Sequence, residues 1–406
     1  VALAGVNVRS FQHKIVIIGG GTAGISVAAR LRKAGESDVA LIDPATTHYY
    51  QPLWTLVGGG CASAAETARP QSTVMPSGVN WIQKRADGVD PDRQLVTLDD
   101  GTDIGYEYLV VCPGIQLNFE GVSGMSEALE SPAVSTNYLL DSAPTTWRNI
   151  QNVRGGTAVF TMPAGPIKCA GAPQKIAYLA ADYWRQQGTL QDTRVVLVLP
   201  TPGMFGVKVF SDELEKVVAR YGIEVHKNSE LVEIDGPGRT AVIRNNQDQS
   251  TTSIDFDMAH VVPPQSAPDW IKGGPLADPE NPMGYVGVDK YTMQHTRYPS
   301  IFALGDAGST PNSKTGAAIR KQAPVVVDNL RAVMGGGTPQ AKYDGYASCP
   351  LTTARNKMLL AEFDYEMKPA PSFKFIDTTK ERRDMWLLKR RGLPFMYWNL
   401  MLKGRA

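Results

Sequence analysis

The sequence predicts an α/β protein with two Rossmann-like dinucleotide-binding units and a C-terminal segment of different composition. Three observations carry that expectation. A glycine-rich turn, Gly19-Gly20-Gly21-Thr22-Ala23-Gly24, joins a short apolar strand to a helical pattern. A second strand–turn–helix–strand run lies between Thr157 and Leu199. From Met385 onward, aromatic and large aliphatic residues mix with Lys and Arg.

Composition sets the outer limits. A chain of 406 residues that is 43% hydrophobic can bury two or three cores, and 39 glycines and 28 prolines suit many tight turns better than a helical bundle. A net charge of +1 provides no field for nucleic acid or another polyanion. Cys61, Cys112, Cys169 and Cys349 have neither zinc-type spacing nor the density of a secreted disulfide framework, so no metal site is expected. No run reaches the roughly 18–20 apolar residues that span a bilayer. Val1 to Ser10 show no signal-peptide pattern, and a first residue other than Met is read as a trimmed start.

In the first unit, Lys14 to Gly19 is a strand, Ile25 to Lys33 is helical, and Val39 to Ile42 is a second parallel strand ending at Asp43. This is a βαβ unit of about thirty residues. Gly19 makes the tight turn, Gly21 lets backbone approach a pyrophosphate, and Gly24 lets helix and strand pack closely. The helix N-terminus supplies donors to phosphate, and Asp43 is placed for a ribose hydroxyl.

The second unit repeats the plan with Thr157 to Thr161, Gly171 to Gln187 and Arg194 to Leu199. Its turn, Ala164 to Gly171, has lost the glycine pattern, and Leu199-Pro200-Thr201 offers no ribose-binding acid. Cys169 stands where a nicotinamide dinucleotide would dock, which points to electrons entering through sulfur. Further on, a strand ends in Gly305-Asp306. Gly305 permits close backbone approach, and Asp306 can accept the hydroxyls of a flavin's ribityl chain. Lys314-Thr315-Gly316-Ala317-Ala318 opens a helix whose N-terminus can stabilise negative charge on a reduced isoalloxazine. Together these favour FAD over NAD in the first unit.

The expected division is a discontinuous FAD domain at 1–150 and 290–340, a second Rossmann-like domain at 151–289, and a C-terminal region at 341–406. Gly392-Leu393-Pro394 is expected to split the C-terminal stretch into two short helical pieces. Their apolar faces, basic flanks and Trp and Tyr residues suit a peripheral, monotopic membrane anchor, with core or dimer-interface helices as the alternative.

The chain resembles the sulfide:quinone oxidoreductases, in the two-cysteine branch that includes the mitochondrial enzyme, over nearly its full length. The resemblance rests on the runs His48 to Val57, Ile167 to Lys175, Phe205 to Lys208, Lys342 to Leu351, Leu360 to Tyr365 and Pro394 to Asn399. It implies a glutathione-reductase-like flavoprotein. Cys169 and Cys349 would flank the flavin and cycle through a disulfide or sulfur-bridged form. The implied FAD contacts are Gly21, Thr22, Asp43, Gln51, Ala86 (through its backbone, toward the adenine), Asp306, Lys314, Thr315, Gly316 and Ala317. Glu127, with Glu130 nearby, aligns with an acid that handles protons in relatives. Phe363, Tyr365, Phe395 and Tyr397 are candidate quinone contacts.

In the implied cycle, hydrosulfide attacks Cys349, leaving a persulfide there and releasing Cys169 as a thiolate supported by Lys168 or Lys175. Two electrons pass through FAD to a membrane quinone, and the sulfane sulfur goes to sulfite, glutathione or another sulfide. The third cysteine of some bacterial branches has no match around Val134 to Tyr138. The cysteine that the mitochondrial enzyme carries after its Gly-Asp is missing from Gly305 to Gly308. Cys112 and Cys61 are read as structural. A type II NADH:quinone oxidoreductase would need glycines and an acid in the second unit. A non-catalytic flavin-binding membrane protein would leave the cysteines structural. A homo-oligomer is left open, and Ala-, Gly- and Arg-rich usage leans toward a bacterial cell membrane over the mitochondrial inner membrane.

Overall fold

The strand His13–Ile18 lies inside a sheet because its last four residues are apolar on both faces; Ile15, Val16, Ile17 and Ile18 are at most 2% exposed. The computed structural model describes residues 12–406, so the reading of Val1 to Ser10 falls outside the described residues. His13–Ile18 pairs in parallel with Val39–Ile42 on one side and Asp103–Val111 on the other, and Asn80–Ile82 extends the sheet beyond Val39–Ile42. Along its other edge the long strand Asp103–Val111 has two further partners. Its first half pairs antiparallel with Leu95–Leu98, and its second half pairs parallel with Ile301–Ala303. This late strand returns the chain to the first sheet, so Gly305 and Asp306 emerge at the same sheet end as Gly19. Ligands of open α/β sheets bind at that carboxyl end.

The helix Thr22–Lys33 crosses this sheet with Ala23 to Ala29 all buried. At Gly24 an added methyl carbon would stand 1.7 Å from the Gly19 carbonyl oxygen, so the helix can lie this close only with glycine there.

A second parallel sheet runs Val134–Ser135, Met258–His260, Gly156–Thr161, Thr193–Val198, Glu224–His226. Helix Ala172–Gln187 packs on it, starting with Pro173 in its first turn and ending at a left-handed Gly188. The hairpin of Ala347–Ala354 and Lys357–Phe363 covers that helix and joins the same core, which contains Phe160, Trp184, Cys349 and Leu351. Gly171 opens the way: a methyl carbon there would meet Leu351 at 2.5 Å. The close approach brings Cys349, two residues earlier, against the start of the helix.

The C-terminal segment differs from the sequence reading. Arg383–Leu387 passes through a π turn at Leu388–Gly392 directly into Leu393–Asn399, with no break at Gly392 or Pro394. Pro394 falls in the first turn of the last helix, where its missing N–H costs little, and the wide turn before it absorbs the ring. Met385, Lys389, Tyr397 and Trp398 face inward, whereas Leu387 and Phe395 are 59% and 63% exposed. Among the described residues no helix is long and apolar enough to cross a membrane.

The contact at Gly24 sets a test of the glycine turn. Gly24→Ala is expected to push the helix off Gly19, lowering Tm by about 5 °C and the FAD content of purified protein with it. Differential scanning fluorimetry and the 450 nm to 280 nm absorbance ratio measure both.

Candidate active site

One cavity of about 540 Å³ runs from the glycine turn to Cys169. Gly19, Gly21, Thr22 and Asp43 line one end, and Gly305, Asp306 and Lys314 to Ala317 line its flank. These residues fit a dinucleotide. The position of a side chain at Gly21 is open, with nothing within 4 Å, and the helix Thr22–Lys33 has no side-chain cap over its N-terminal N–H groups. Phosphate oxygens are the natural acceptors for such donors. The Asp43 carboxylate accepts from the Gly20 N–H at 2.6 Å and the Ala45 N–H at 2.7 Å, which fixes it at the rim. Asp306 is pushed up by burial and held down by Lys314 and Lys168. Lys314 itself, lowered by burial to about 8, donates to the Gly308 carbonyl at 2.9 Å and lies 3.9 Å over the Tyr285 ring. The helix Gly316–Met334 is capped by Thr315, whose hydroxyl accepts from the Ala318 N–H.

At the other end of the cavity, Cys169 has a left-handed backbone with φ of 53°. That conformation is uncommon for a residue with a side chain and persists only where neighbours over-determine it. Here the Cys169 N–H donates to the Lys314 carbonyl at 2.8 Å, Lys168 and Lys314 form a parallel bridge, and the Tyr138 hydroxyl donates to the Lys168 carbonyl at 2.9 Å. The turn is therefore stitched to the segment that lines the cavity's flank.

Cys169 and Cys349 are both free thiols, and their sulfurs share a hydrogen bond. The two titrate in opposite directions. Cys169 is drawn well below the ordinary thiol range by its bond with Cys349 and by the charges of Lys175 and Lys389. The Lys175 ammonium donates to the Cys169 sulfur at 3.2 Å. Cys349 is pushed well above that range by the same bond and by complete burial. Lys389 donates to the Pro52 carbonyl at 2.7 Å, and burial lowers it to about 7. The site thus favours a thiolate at Cys169 and a thiol at Cys349. Cys112, pushed up by burial, packs as a small hydrophobe beside Gly19, and burial also raises Cys61.

Several sequence-derived residues lie elsewhere. Ala86 is buried in the first sheet's core and does not line the cavity. Glu127 is exposed on the short helix Met125–Ala128 against the strand Ser229–Asp235, and the geometry does not bring it to the cysteines. Phe363 packs into the core against Phe205 at a ring distance of 5.5 Å. Tyr365 stands among Tyr291 and Tyr343, and Phe395 points outward. Of the four aromatic candidates Tyr397 alone lines the cavity, and its hydroxyl is held by Thr22 at 2.9 Å and His48 at 2.6 Å. Sequence reasoning missed Lys389, which resembled one more basic flank, and the wall of Tyr346, Glu362 and Phe373. No group of side chains that could hold a metal ion occurs among the described residues.

The pyridine nucleotide-disulphide oxidoreductase profile matches residues 13–323. The mouse mitochondrial sulfide:quinone oxidoreductase is 40% identical over 97% of this chain and 87% of its own length. The chain belongs to the sulfide:quinone oxidoreductases. The corresponding mitochondrial protein of Dictyostelium discoideum is 41% identical over 97% of this chain and 86% of its own. The crystal structure of the Aquifex aeolicus sulfide:quinone oxidoreductase shares the fold, with a TM-score of 0.80 at 20% identity over 97% and 92% of the two chains. A flavoprotein of this family binds FAD, and the residues lining the cavity suit it.

The opposed titrations give a direct test. In reduced protein, Cys169 should alkylate with iodoacetamide at pH values where an ordinary thiol is protonated, and Cys349 should not. Removing the nearest cation in Lys175→Met should move the Cys169 titration to higher pH, read by mass spectrometry of the modified peptides.

Proposed function

We propose that this protein is an FAD-dependent sulfide:quinone oxidoreductase that oxidises hydrosulfide through Cys169 and Cys349 and delivers the electrons to a membrane quinone. The observation that carries the reading is the polarised cysteine pair at the end of a dinucleotide cavity. With the two sulfurs joined as a disulfide, hydrosulfide attacks the Cys349 sulfur. A Cys349–S–SH bond forms, the S–S bond breaks, and the electron pair leaves on Cys169 as thiolate. The division of roles follows the thiol energetics: the sulfur beside Lys175 is the better leaving group, because a lower thiol pKa makes departure easier. FAD, when bound, accepts two electrons and passes them on. Lys175 and Lys389 keep the departing sulfur charged, and Lys168, tied to Gln51 at 2.8 Å, holds the turn in place. We place proton handling on these lysines rather than on Glu127. The outer sulfur of the persulfide passes to a nucleophile such as sulfite, glutathione or a second sulfide, releasing Cys349 as a thiolate. Cys349 and Cys169 then rejoin as the disulfide, giving up the two electrons that bound FAD would take.

The quinone is assigned to the part of the cavity next to the C-terminal segment. Leu388, Leu393, Met396, Tyr397 and Phe373 supply apolar and ring surface there, and Tyr346 donates to Glu362 at 2.5 Å. A peripheral membrane position suits the same segment. Leu387 and Phe395 face outward, Phe375 is fully exposed, and Arg390 and Arg391 flank them. On composition, a bacterial cell membrane remains the proposed location. An NADH-driven reading is disfavoured by the turn at Cys169, where a thiol and a bridge to Lys314 occupy the pyrophosphate position.

Anaerobic sulfide should bleach the flavin and decylubiquinone should restore it, whereas NADH alone should leave the spectrum unchanged. Cys169→Ser and Cys349→Ser should each lower sulfide-driven quinone reduction by about a hundredfold or more, the loss usual for a covalent nucleophile. Wild-type turnover in either variant sinks the mechanism.

A further inference from the structure

Asn137 is only 6% exposed and lines the cavity, yet neither atom of its side-chain amide has a protein partner. Trp54 is 8% exposed, lines the same cavity, and its indole N–H is likewise unpartnered. Buried donors and acceptors are seldom left unpaired in native proteins, and a functional ligand is one reason for an exception. The chain holds both groups deliberately. Asn137 follows the strand Val134–Ser135, and its backbone N–H donates to His260 Nε2 at 2.9 Å. Gly58 makes room for the amide, since a methyl carbon there would lie 2.1 Å from Asn137 Oδ1. Trp54 and Gly58 are four residues apart on the helix Trp54–Gly58 and so share a face. The Lys168 ammonium lies 5.6 Å over the Trp54 ring, one residue from Cys169.

Free donors therefore outnumber free acceptors here, beside a cation and in the cavity that Cys169 also lines. A compact anion that accepts several hydrogen bonds matches that set. We propose that Asn137 and Trp54 form a subsite for a small sulfur anion, either the incoming hydrosulfide or the sulfite that removes the sulfur, held before it meets the cysteine pair. The proposal rests on the sulfide:quinone reading and adds an entry site on the side of the second sheet.

The test uses holoenzyme carrying Trp54→Phe, which removes the N–H and keeps an aromatic ring, and separately Asn137→Ala. The sulfide concentration for half-maximal anaerobic bleaching should rise about tenfold or more in each, as for a lost hydrogen bond to a charged group. FAD content, flavin spectrum and decylubiquinone KM should stay unchanged. A second readout is calorimetric binding of sulfide and of sulfite to Cys169→Ser holoenzyme, in which no covalent exchange can start. Adding Trp54→Phe should weaken binding about tenfold. Weakening of the sulfide arm assigns the subsite to the substrate, and weakening of the sulfite arm assigns it to the acceptor. Unchanged sulfide and sulfite dependence in both variants overturns the proposal. So does loss of FAD with unchanged sulfide dependence, which would give the amide to the cofactor. Wild-type flavin that stays coloured in sulfide would instead remove the activity on which the proposal rests.

Discussion

A negatively charged sulfur under a protein wall needs a countercharge, and the inner end of the cavity is arranged around that requirement. The hydrogen bond between Cys169 and Cys349 would stabilise whichever sulfur is ionised, so by itself it does not choose. The lysines break the tie. Two unit charges 4 Å apart at an effective dielectric of 20 attract by about 4 kcal/mol, several times the net worth of an ordinary hydrogen bond at about 1 kcal/mol. Lys175 donates directly to the Cys169 sulfur, whereas Cys349 is wholly buried and, besides Cys169, meets the Ser313 hydroxyl at 3.9 Å and feels Lys175 only as a charge. The cations are themselves under strain. Lys389 is lowered to about 7 by burial and then by Lys175, while both cysteines oppose the fall. Thiolate and ammonium therefore hold each other charged, and neither state survives burial as well alone.

This electrostatic knot ties together segments far apart in sequence. Lys389 comes from the π turn and donates to Pro52; Gln51, its neighbour, accepts from Lys168; and Lys168 bridges to Lys314, just before the helix Gly316–Met334. The C-terminal segment is thus part of the cavity wall, with Leu387 and Phe395 exposed on its other side. Its last helix is braced on the glycine turn through Tyr397, Thr22 and His48, with His48 in turn hydrogen-bonded at Nδ1 to Gln71. One turn of helix links the exposed face of this segment to the cysteines, because Leu387 points out and Lys389 points in.

What could be read from the sequence follows the same division between local and distant causes. The glycine turn and the Gly-Asp strand end were legible because a side chain at Gly19 or Gly24 would strike backbone and Gly305 has a left-handed φ, so type and spacing are nearly sufficient. The Cys169–Cys349 pair was accessible only through family resemblance, since their meeting depends on a hairpin docking over Gly171. Lys389 was invisible: a π turn shifts the helical phase, and no periodicity assigns one lysine of Lys389-Arg390-Arg391 to the interior. The aromatic candidates failed to gather for a related reason. Register puts Ala347 opposite Phe363 and Cys349 opposite Ala361, so Phe363 shares the inner face with the cysteine while Glu362 faces the cavity. A shift of one residue would exchange them, and composition does not encode that choice.

That alternation also separates two chemistries. Ser348, Pro350, Leu360 and Glu362 line the cavity from one face of the hairpin, and Cys349 meets Cys169 from the other. A persulfide on Cys349 would therefore form behind the wall that borders the proposed quinone site. Keeping a nucleophilic sulfur away from an electrophilic quinone is a chemical necessity for such an enzyme, because thiolates add readily to quinone rings. For the Cys349 persulfide, the period-2 alternation from Ala347 to Thr352 meets it with the thickness of a single strand.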